Sequence, residues 1–295
     1  MANLAASKLR AQLADPDSII VCPVVQDGLS ALVCLQQGFN NLYMTGAGTA
    51  MSLLGMPDLG LTTADDMVRN ASMIASIDRT APVIADADIG FPSWSPAQHT
   101  ERYVLGGVAG LYIEDQVATK RCGYLLGKEI VDIDTFVSRI RAAAAARDSL
   151  SSNIVIIART DSLQPLSSDE AVRRLQAAVI AVADVKQIVE VMKPTLCLLN
   201  MVAGGVAPLI NSTEAHALGF KIVIWPYFAT TAAAYLAYQP KVAKELQATG
   251  AIAERRDRPD GIAVVGVQEL FELCGLSEYT AFDEDMGSTA FSDGV

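Results

Sequence analysis

Short apolar runs alternate with amphipathic helical stretches down most of this chain, and that alternation limits the fold more than any other feature. Strand character is read at residues 19–25, 41–45, 82–88, 110–116, 153–161, 195–201 and 221–227. Helical character is read at 7–13, 29–37, 134–147 and 64–77, the last with Thr63 and Asp65 as candidate caps. Strands that recur at intervals of roughly 25 to 40 residues with helices between them are repeated βα units on a parallel sheet. The expected fold is α/β, a (β/α)8 TIM-type barrel, with an open doubly wound sheet as the alternative. Polar residues gather at the C-terminal ends of the strands: Asp86 and Asp88, then Glu114, then Arg159 and Asp161, then Asn200. In a barrel those ends share the one face where active sites sit. Gly46-Ala47-Gly48 is an incomplete GxGxxG and makes a poor dinucleotide fingerprint.

At 295 residues the chain is expected to be a single barrel domain (1–295) with a C-terminal helical extension from about 229 to 295. With 51% hydrophobic and 19% charged residues it has a core-rich, globular composition. A net charge of −11 argues against a nucleic-acid surface and against an anionic membrane surface. The expected partner is a small molecule, and an anionic one needs local cations to overcome the field. The cysteines, Cys22, Cys34, Cys122, Cys197 and Cys274, are odd in number and form no CxxC pair. They are read as reduced, mostly buried thiols. No apolar signal region opens the chain and no apolar segment is long enough to span a bilayer, so a cytoplasmic protein is expected.

Chemistry concentrates between Gly110 and Lys128. A short apolar run, Leu111-Tyr112-Ile113, delivers Glu114, Asp115 and Gln116 and leads to the loop Lys120-Arg121-Cys122-Gly123-Tyr124. Two fixed positive charges lower the pKa of a neighbouring thiol, and a thiol so tuned can exchange a proton near neutral pH. A solvated Lys-Arg turn with an incidental cysteine is the plainer reading of the same residues. Asp86 and Asp88 project to one side of a strand. With Glu114 and with Asp58 from a loop they suit a hard, oxygen-liganded cation such as Mg²⁺, which keeps several waters. Helix capping explains one of these aspartates and leaves the convergence of four acids unexplained. Arg159 can take a substrate carboxylate in a two-pronged grip, or pair with Asp161 or Asp86. His99 and His216 have no ligand spacing and are expected at the surface. Trp94 and Trp225 are read as packing residues, Trp225 also as a possible pocket wall.

Seven motifs, in this order, resemble the isocitrate lyase/phosphoenolpyruvate mutase superfamily. They are Tyr43-Met44-Thr45-Gly46-Ala47-Gly48, Gly55-Met56-Pro57-Asp58, Asp86-Ala87-Asp88-Ile89-Gly90, Ile113-Glu114-Asp115-Gln116, Lys120-Arg121-Cys122-Gly123, Ala158-Arg159-Thr160-Asp161 and Leu199-Asn200-Met201. The nearest branch holds methylisocitrate lyase, 2,3-dimethylmalate lyase and oxaloacetate acetylhydrolase. The resemblance implies a (β/α)8 barrel whose last helix is exchanged between subunits of a homodimer or homotetramer, and a Mg²⁺ (or Mn²⁺) site. It implies Asp86 as the direct metal ligand, with Asp58, Asp88 and Glu114 acting through water. Thr45, Gly46 and Ala47 are implied at the 2-oxo-acid end of the substrate with Arg159, and Tyr43 against the oxyanion. Cys122 is implied as the general acid. Lys120 and Arg121 complete the catalytic set, and Gly123, Tyr124 and Asn200 are carried over as further substrate contacts.

Three departures stand beside the resemblance. Tyr124 replaces the family's histidine, and Ala203 stands where relatives often carry an acid. Residues 168–193 read as nearly one helix, with Val179-Ile180-Ala181-Val182 as the only strand remnant, so the sixth strand and its glutamate are expected to be abbreviated or missing. The implied activity is Mg²⁺-dependent cleavage of a carbon–carbon bond, or the related hydrolysis, in a small 2-hydroxy- or 2-oxo-dicarboxylate through a metal-stabilised enolate. Oxaloacetate decarboxylation or acetyl hydrolysis is the alternative chemistry. A catalytically weakened paralogue serving as a binding or oligomeric partner is the alternative role.

Overall fold

The computed structural model describes residues 3–91, 95–123, 125–182, 196–201, 209–226, 228–250 and 267–287. The chain divides into two compact units, Met1–Phe228 and Ala229–Val295. In the first, seven strands form one parallel sheet: β1 (Ile20–Val25), β2 (Leu42–Met44), β3 (Val83–Asp86), β4 (Gly110–Ile113), β5 (Val155–Ala158), β6 (Cys197–Asn200) and β7 (Phe220–Trp225). Their order is β5-β4-β3-β2-β1-β7-β6. Sequential strands are neighbours except β5 and β6, which form the two edges, and β7 lies beside β1 as in a barrel. The sheet is a curled half-barrel of the TIM-like α/β class.

Helix α1 (Leu4–Ala14) precedes β1. Then α2 (Gly28–Gln36) follows β1, α3 (Gly46–Leu54) and α4 (Ala64–Ile77) follow β2, and α5 (Pro96–Leu105) follows β3. After β4 comes α6 (Ile133–Ser149), after β5 α7 (Ser168–Val182), and after β6 the short α8 (Ser212–Ala217). Capping boxes set several of these starts: Asp27 with Ser30, Thr63 with Asp66, Ser95 with Gln98 and Asn211 with Glu214. Each satisfies amides that a helix N-terminus leaves unpaired. Thr63 caps α4 as read from sequence, while Asp65 lies in its first turn.

The two faces of the strands build two cores, as a period of two requires. One face gathers Ile20, Cys22, Val24, Tyr43, Ile84, Tyr112, Ile222 and Ile224 around Ala5, Ala6 and Leu9 of α1. The other sets Leu42, Met44, Val83, Ala85, Leu111 and Ile113 against Met67, Ala71 and Ile74 of α4, Tyr103 of α5 and Phe136 and Ile140 of α6. Each large side chain so buried contributes roughly 1.5–3 kcal/mol. At Gly110, which opens β4, a Cβ would stand 3.2 Å from Leu9 Cδ2, so α1 packs tightly over this position.

Several expectations are corrected. Residues 179–182, read as a strand remnant, continue α7; the amphipathic repeat of 168–182 outweighs a run of four apolar residues. Among the described residues β5 and β6 end the sheet, while residues 183–193 of the long helical reading lie outside them. Cys22 and Cys34 are buried and Cys122 partly so, but Cys197 and Cys274 are exposed. His99 is buried, between Phe91 at 4.8 Å and Tyr103 at 4.3 Å. His216 is at an exposed helix end beside the Pro16 carbonyl. Trp94 lies outside the described residues.

The second unit carries α9 (Phe228–Thr249, with Pro240 inside it), α10 (Val267–Leu273) and α11 (Leu276–Asp285). Phe271, Tyr279 and Phe282 on these helices are exposed. Among the described residues no helix is long and apolar enough to cross a membrane.

Candidate active site

The chain past each strand end holds the chemistry. After β3, Asp88 sits at φ 46°, in the left-handed region that aspartate tolerates better than most residues. This bend returns the Asp88 N–H to Asp86 Oδ1 at 2.8 Å and lets its carbonyl accept the Glu114 N–H at 2.8 Å. The ends of β3 and β4 are thereby tied, and the Asp88 and Glu114 carboxylates share one rim. Asp86 Oδ2 accepts the Gly46 N–H at 3.0 Å, and its own carbonyl accepts the Tyr103 hydroxyl at 2.6 Å. Thr45 caps α3 through its Oγ1, and Ala47 follows Gly46 in the first turn of that helix.

Lys120 is buried among these acids. Its Nζ is 2.8 Å from Asp58 Oδ1 and ion-paired with Asp88 Oδ1. The Cys122 N–H donates to the Asp58 carbonyl at 3.0 Å, so the cysteine-bearing loop is seated on the Asp58 segment by side chain and backbone together. Cys122 itself is partly buried. The Arg121 side chain points outward toward the Leu126 carbonyl.

Arg159 is the second cationic centre. Its Nη2 donates to both oxygens of Asp161 at 3.1 and 2.9 Å, and its Nη1 donates to the Tyr112 hydroxyl at 2.8 Å and lies 3.2 Å from Glu114 Oε2. The guanidinium also stands 5.1 Å from the centre of the Tyr112 ring, which stacks on Tyr43 at 5.6 Å. With 28% of its side chain open, it remains within reach of a ligand. A Cβ on Gly123 would come 2.6 Å from Nη2, so a larger residue there would have to displace the guanidinium.

Charge is out of balance here. Burial raises the Asp88 carboxyl to about 7; Lys120 opposes the shift, and Asp86 and Asp58 add to it. Burial likewise holds Glu114 well above the usual carboxylate range despite Arg159 and Lys120. For Lys120, burial acts downward and is outweighed by Asp88, Asp86, Glu114 and Asp58, so the ammonium stays charged. Burial, then Asp86, raises Tyr43 well above its ordinary value, so it remains a neutral phenol.

The family model described as phosphoenolpyruvate phosphomutase matches residues 9–246. The chain belongs to the phosphoenolpyruvate phosphomutase family. Among curated relatives of this family member, the 2,3-dimethylmalate lyase of Eubacterium barkeri is 38% identical over 250 residues, covering 80% of this chain and 83% of the relative. A crystal structure of 2,3-dimethylmalate lyase, a PEP mutase/isocitrate lyase superfamily member, is 45% identical with a TM-score of 0.86, covering 99% and 98% of the two chains. Oxaloacetate acetylhydrolase in complex with 3,3-difluorooxalacetate is 42% identical with a TM-score of 0.85, covering 98% and 99%. A phosphonopyruvate hydrolase complex with oxalate and Mg²⁺ is 26% identical with a TM-score of 0.74, covering 96% and 99%. This phosphoenolpyruvate phosphomutase family member is an enzyme of the carbon–carbon lyase type.

The donor set fits a divalent cation held largely through water. Among the described residues no three His, Cys, Asp or Glu side chains converge closely enough to ligate a metal directly. Asp86 nevertheless presents two oxygens that each accept a single described hydrogen bond, leaving each a further lone pair. The acids around it carry more negative charge than Lys120 offsets.

Sequence reasoning missed Tyr112, which alternation along Leu111-Tyr112-Ile113 would have turned to the Tyr43 side. It also missed the buried Asp115, which accepts from Thr160 Oγ1 at 2.5 Å, from the Asp161 N–H at 2.9 Å and from Arg174 at 3.3 Å. Tyr124 lies outside the described residues. Asn200 ends β6 on the same rim, with β7 and β1 between it and β2.

Proposed function

We propose that this enzyme cleaves a carbon–carbon bond in a small 2-hydroxy-dicarboxylate, or hydrolyses the corresponding 2-oxo-dicarboxylate, with Mg²⁺ or Mn²⁺ at Asp86. The observation that carries the reading is the seating of the Cys122 loop on the acid cluster, with Lys120 paired to Asp58 and Asp88 and the Cys122 N–H on the Asp58 carbonyl. The seating of this loop supports a role for the Cys122 thiol near carboxylates suited to a cation and an arginine suited to a carboxylate. Names of relatives that act on dimethylmalate and oxaloacetate support the substrate class, and the oxalate and Mg²⁺ complex supports the metal.

Asp86 would hold the cation directly, with Asp58, Asp88 and Glu114 orienting its waters. When bound, the metal supplies Lewis-acid stabilisation of negative charge on the substrate oxygens. Arg159 takes a substrate carboxylate, and the first turn of α3 at Thr45, Gly46 and Ala47 lies where a helix N-terminus favours an anion. Tyr43, kept neutral, donates to the oxygen on which charge develops. As the bond breaks in a hydroxy-diacid, the hydroxyl proton passes to a carboxylate of the acid rim and the hydroxyl carbon becomes the carbonyl. The departing carbon takes a proton from the Cys122 thiol. In the hydrolysis one enclosed water adds to the 2-oxo carbon and gives its proton to that rim, while the closed loop keeps bulk solvent out. Exposed Phe271, Tyr279 and Phe282 support a homo-oligomer.

Cys122→Ser tests the reading. The variant should lose diacid cleavage by at least a thousandfold while still binding the diacid in calorimetry. Turnover at the parent rate would remove Cys122 from the mechanism.

A further inference from the structure

Gln116 takes no part in the chemistry above, yet its buried amide joins every piece of the site on that side. Nε2 lies 3.0 Å from Glu114 Oε1, 2.9 Å from Asp161 Oδ2 and 2.9 Å from the Arg121 carbonyl. Oε1 accepts the Arg121 N–H at 3.1 Å. Two N–H bonds serve three acceptors, so the amide is shared between two carboxylates and the loop. Both loop contacts are to backbone, one residue before Cys122.

The Gln116 main chain is fixed. It bridges Ile130, and the adjoining Val117 N–H donates to the Glu129 carbonyl at 3.0 Å. Arg139 donates to the Gln116 carbonyl at 2.8 Å and to the Glu114 carbonyl at 2.9 Å. These bonds pinch the neck of the loop, leaving the segment that carries Lys120, Arg121 and Cys122 to move as a flap. It has to move: Asp86, Asp88 and Glu114 are buried, with Lys120 of the flap set on Asp58 and Asp88, and a diacid reaches the acids only when the flap lifts.

We propose that Gln116 is the positioning residue on which this flap latches, and that latching couples the flap to Arg159. With the Arg121 backbone seated, the amide is held between Glu114 and Asp161, and Asp161 in turn grips Arg159 through both oxygens. When the flap lifts, the two bonds to Arg121 are lost and the amide is free to rotate away. The proposal rests on the reading of the Cys122 loop given above.

The test uses Gln116→Met, which keeps length and removes the amide, and Gln116→Asn, which keeps the amide and withdraws it from Arg121. Flap opening is read in the substrate-free protein, from tryptic cleavage after Arg121 and from alkylation of Cys122 by iodoacetamide, resolved by peptide mass. Both rates should rise roughly fivefold to thirtyfold, the effect of losing one to two neutral hydrogen bonds. Cleavage at tryptic sites away from Lys120, Arg121 and Lys128 should stay at the parent rate, whereas a merely structural defect would raise it everywhere. KM for the diacid should rise more than kcat falls. Parent-like cleavage and alkylation in both variants, or a rise spread over all tryptic sites in both, would overturn the latch. Failure of the underlying reading shows separately, as undiminished turnover in Cys122→Ser.

Discussion

Lys120 and Asp58 meet at 2.8 Å with both side chains withdrawn from solvent, one from the loop after β4 and the other from the loop after α3. The pair joins two segments that no strand connects. It also sets an ammonium against the acids that would orient the waters of a metal ion. Lys120→Met leaves Asp58 and Asp88 without their cation in a buried site, a change that costs roughly 3–5 kcal/mol for a fully buried pair. In urea titrations with EDTA the variant should lose several kcal/mol, and saturating Mg²⁺ should restore part of it. Equal stability of variant and parent would show that the pair contributes nothing.

Gly46 is the narrowest point of the Asp86 site, because a Cβ there would stand 2.5 Å from Asp86 Oδ2. Gly46→Ala must push the carboxylate aside. Calorimetric titration with Mg²⁺ should show affinity reduced at least tenfold while the circular dichroism spectrum is kept. A parent-like isotherm would detach Gly46 from the metal site.

Arg159→Lys keeps the charge and gives up the planar fork that holds Asp161 and reaches Tyr112. KM for the diacid should rise roughly tenfold to a hundredfold, a loss of about 1.4 to 2.8 kcal/mol, with a smaller effect on kcat. A change in kcat with KM untouched would move Arg159 from binding to chemistry.

His99 gives the acid limb of stability a definite sign. Burial lowers its pKa to about 4, with Asp86 opposing the shift, whereas an unfolded histidine titrates near 6.5. Between those values the unfolded chain binds more protons, so stability from this residue is complete above about pH 6.5 and is lost as pH falls toward 4. The loss approaches roughly 3 kcal/mol. His99→Phe should narrow the fall in Tm between pH 7 and pH 5 relative to the parent. An unchanged difference between the two proteins across that range would show that His99 does not titrate on unfolding.

The alternation of β-branched runs with amphipathic helices made the barrel class legible, because strand period and helix period are local properties. The acids at the strand ends were legible for the same reason. What sequence could not show was pairing across elements. Lys120 was read as a neighbour of Cys122 along the chain, and it is the partner of Asp58 and Asp88 in space. Arg159 was weighed between a ligand carboxylate and Asp161, and the fold sets it on Asp161, Glu114 and Tyr112. His99 looked solvent-facing because no pattern of i and i+4 residues marked the side of α5 that meets Phe91. Val179 to Val182 looked strand-like in isolation, and only the amphipathic repeat before it keeps those residues helical.

The most direct measurement is a proton NMR time course of the purified protein with Mg²⁺ against 2,3-dimethylmalate, 2-methylisocitrate and oxaloacetate, each repeated with EDTA. Metal-dependent cleavage of a diacid is expected: one substrate is consumed, its products name the reaction, and EDTA stops it. Turnover of none of the three, or turnover that EDTA leaves unchanged, would contradict a divalent-metal carbon–carbon lyase.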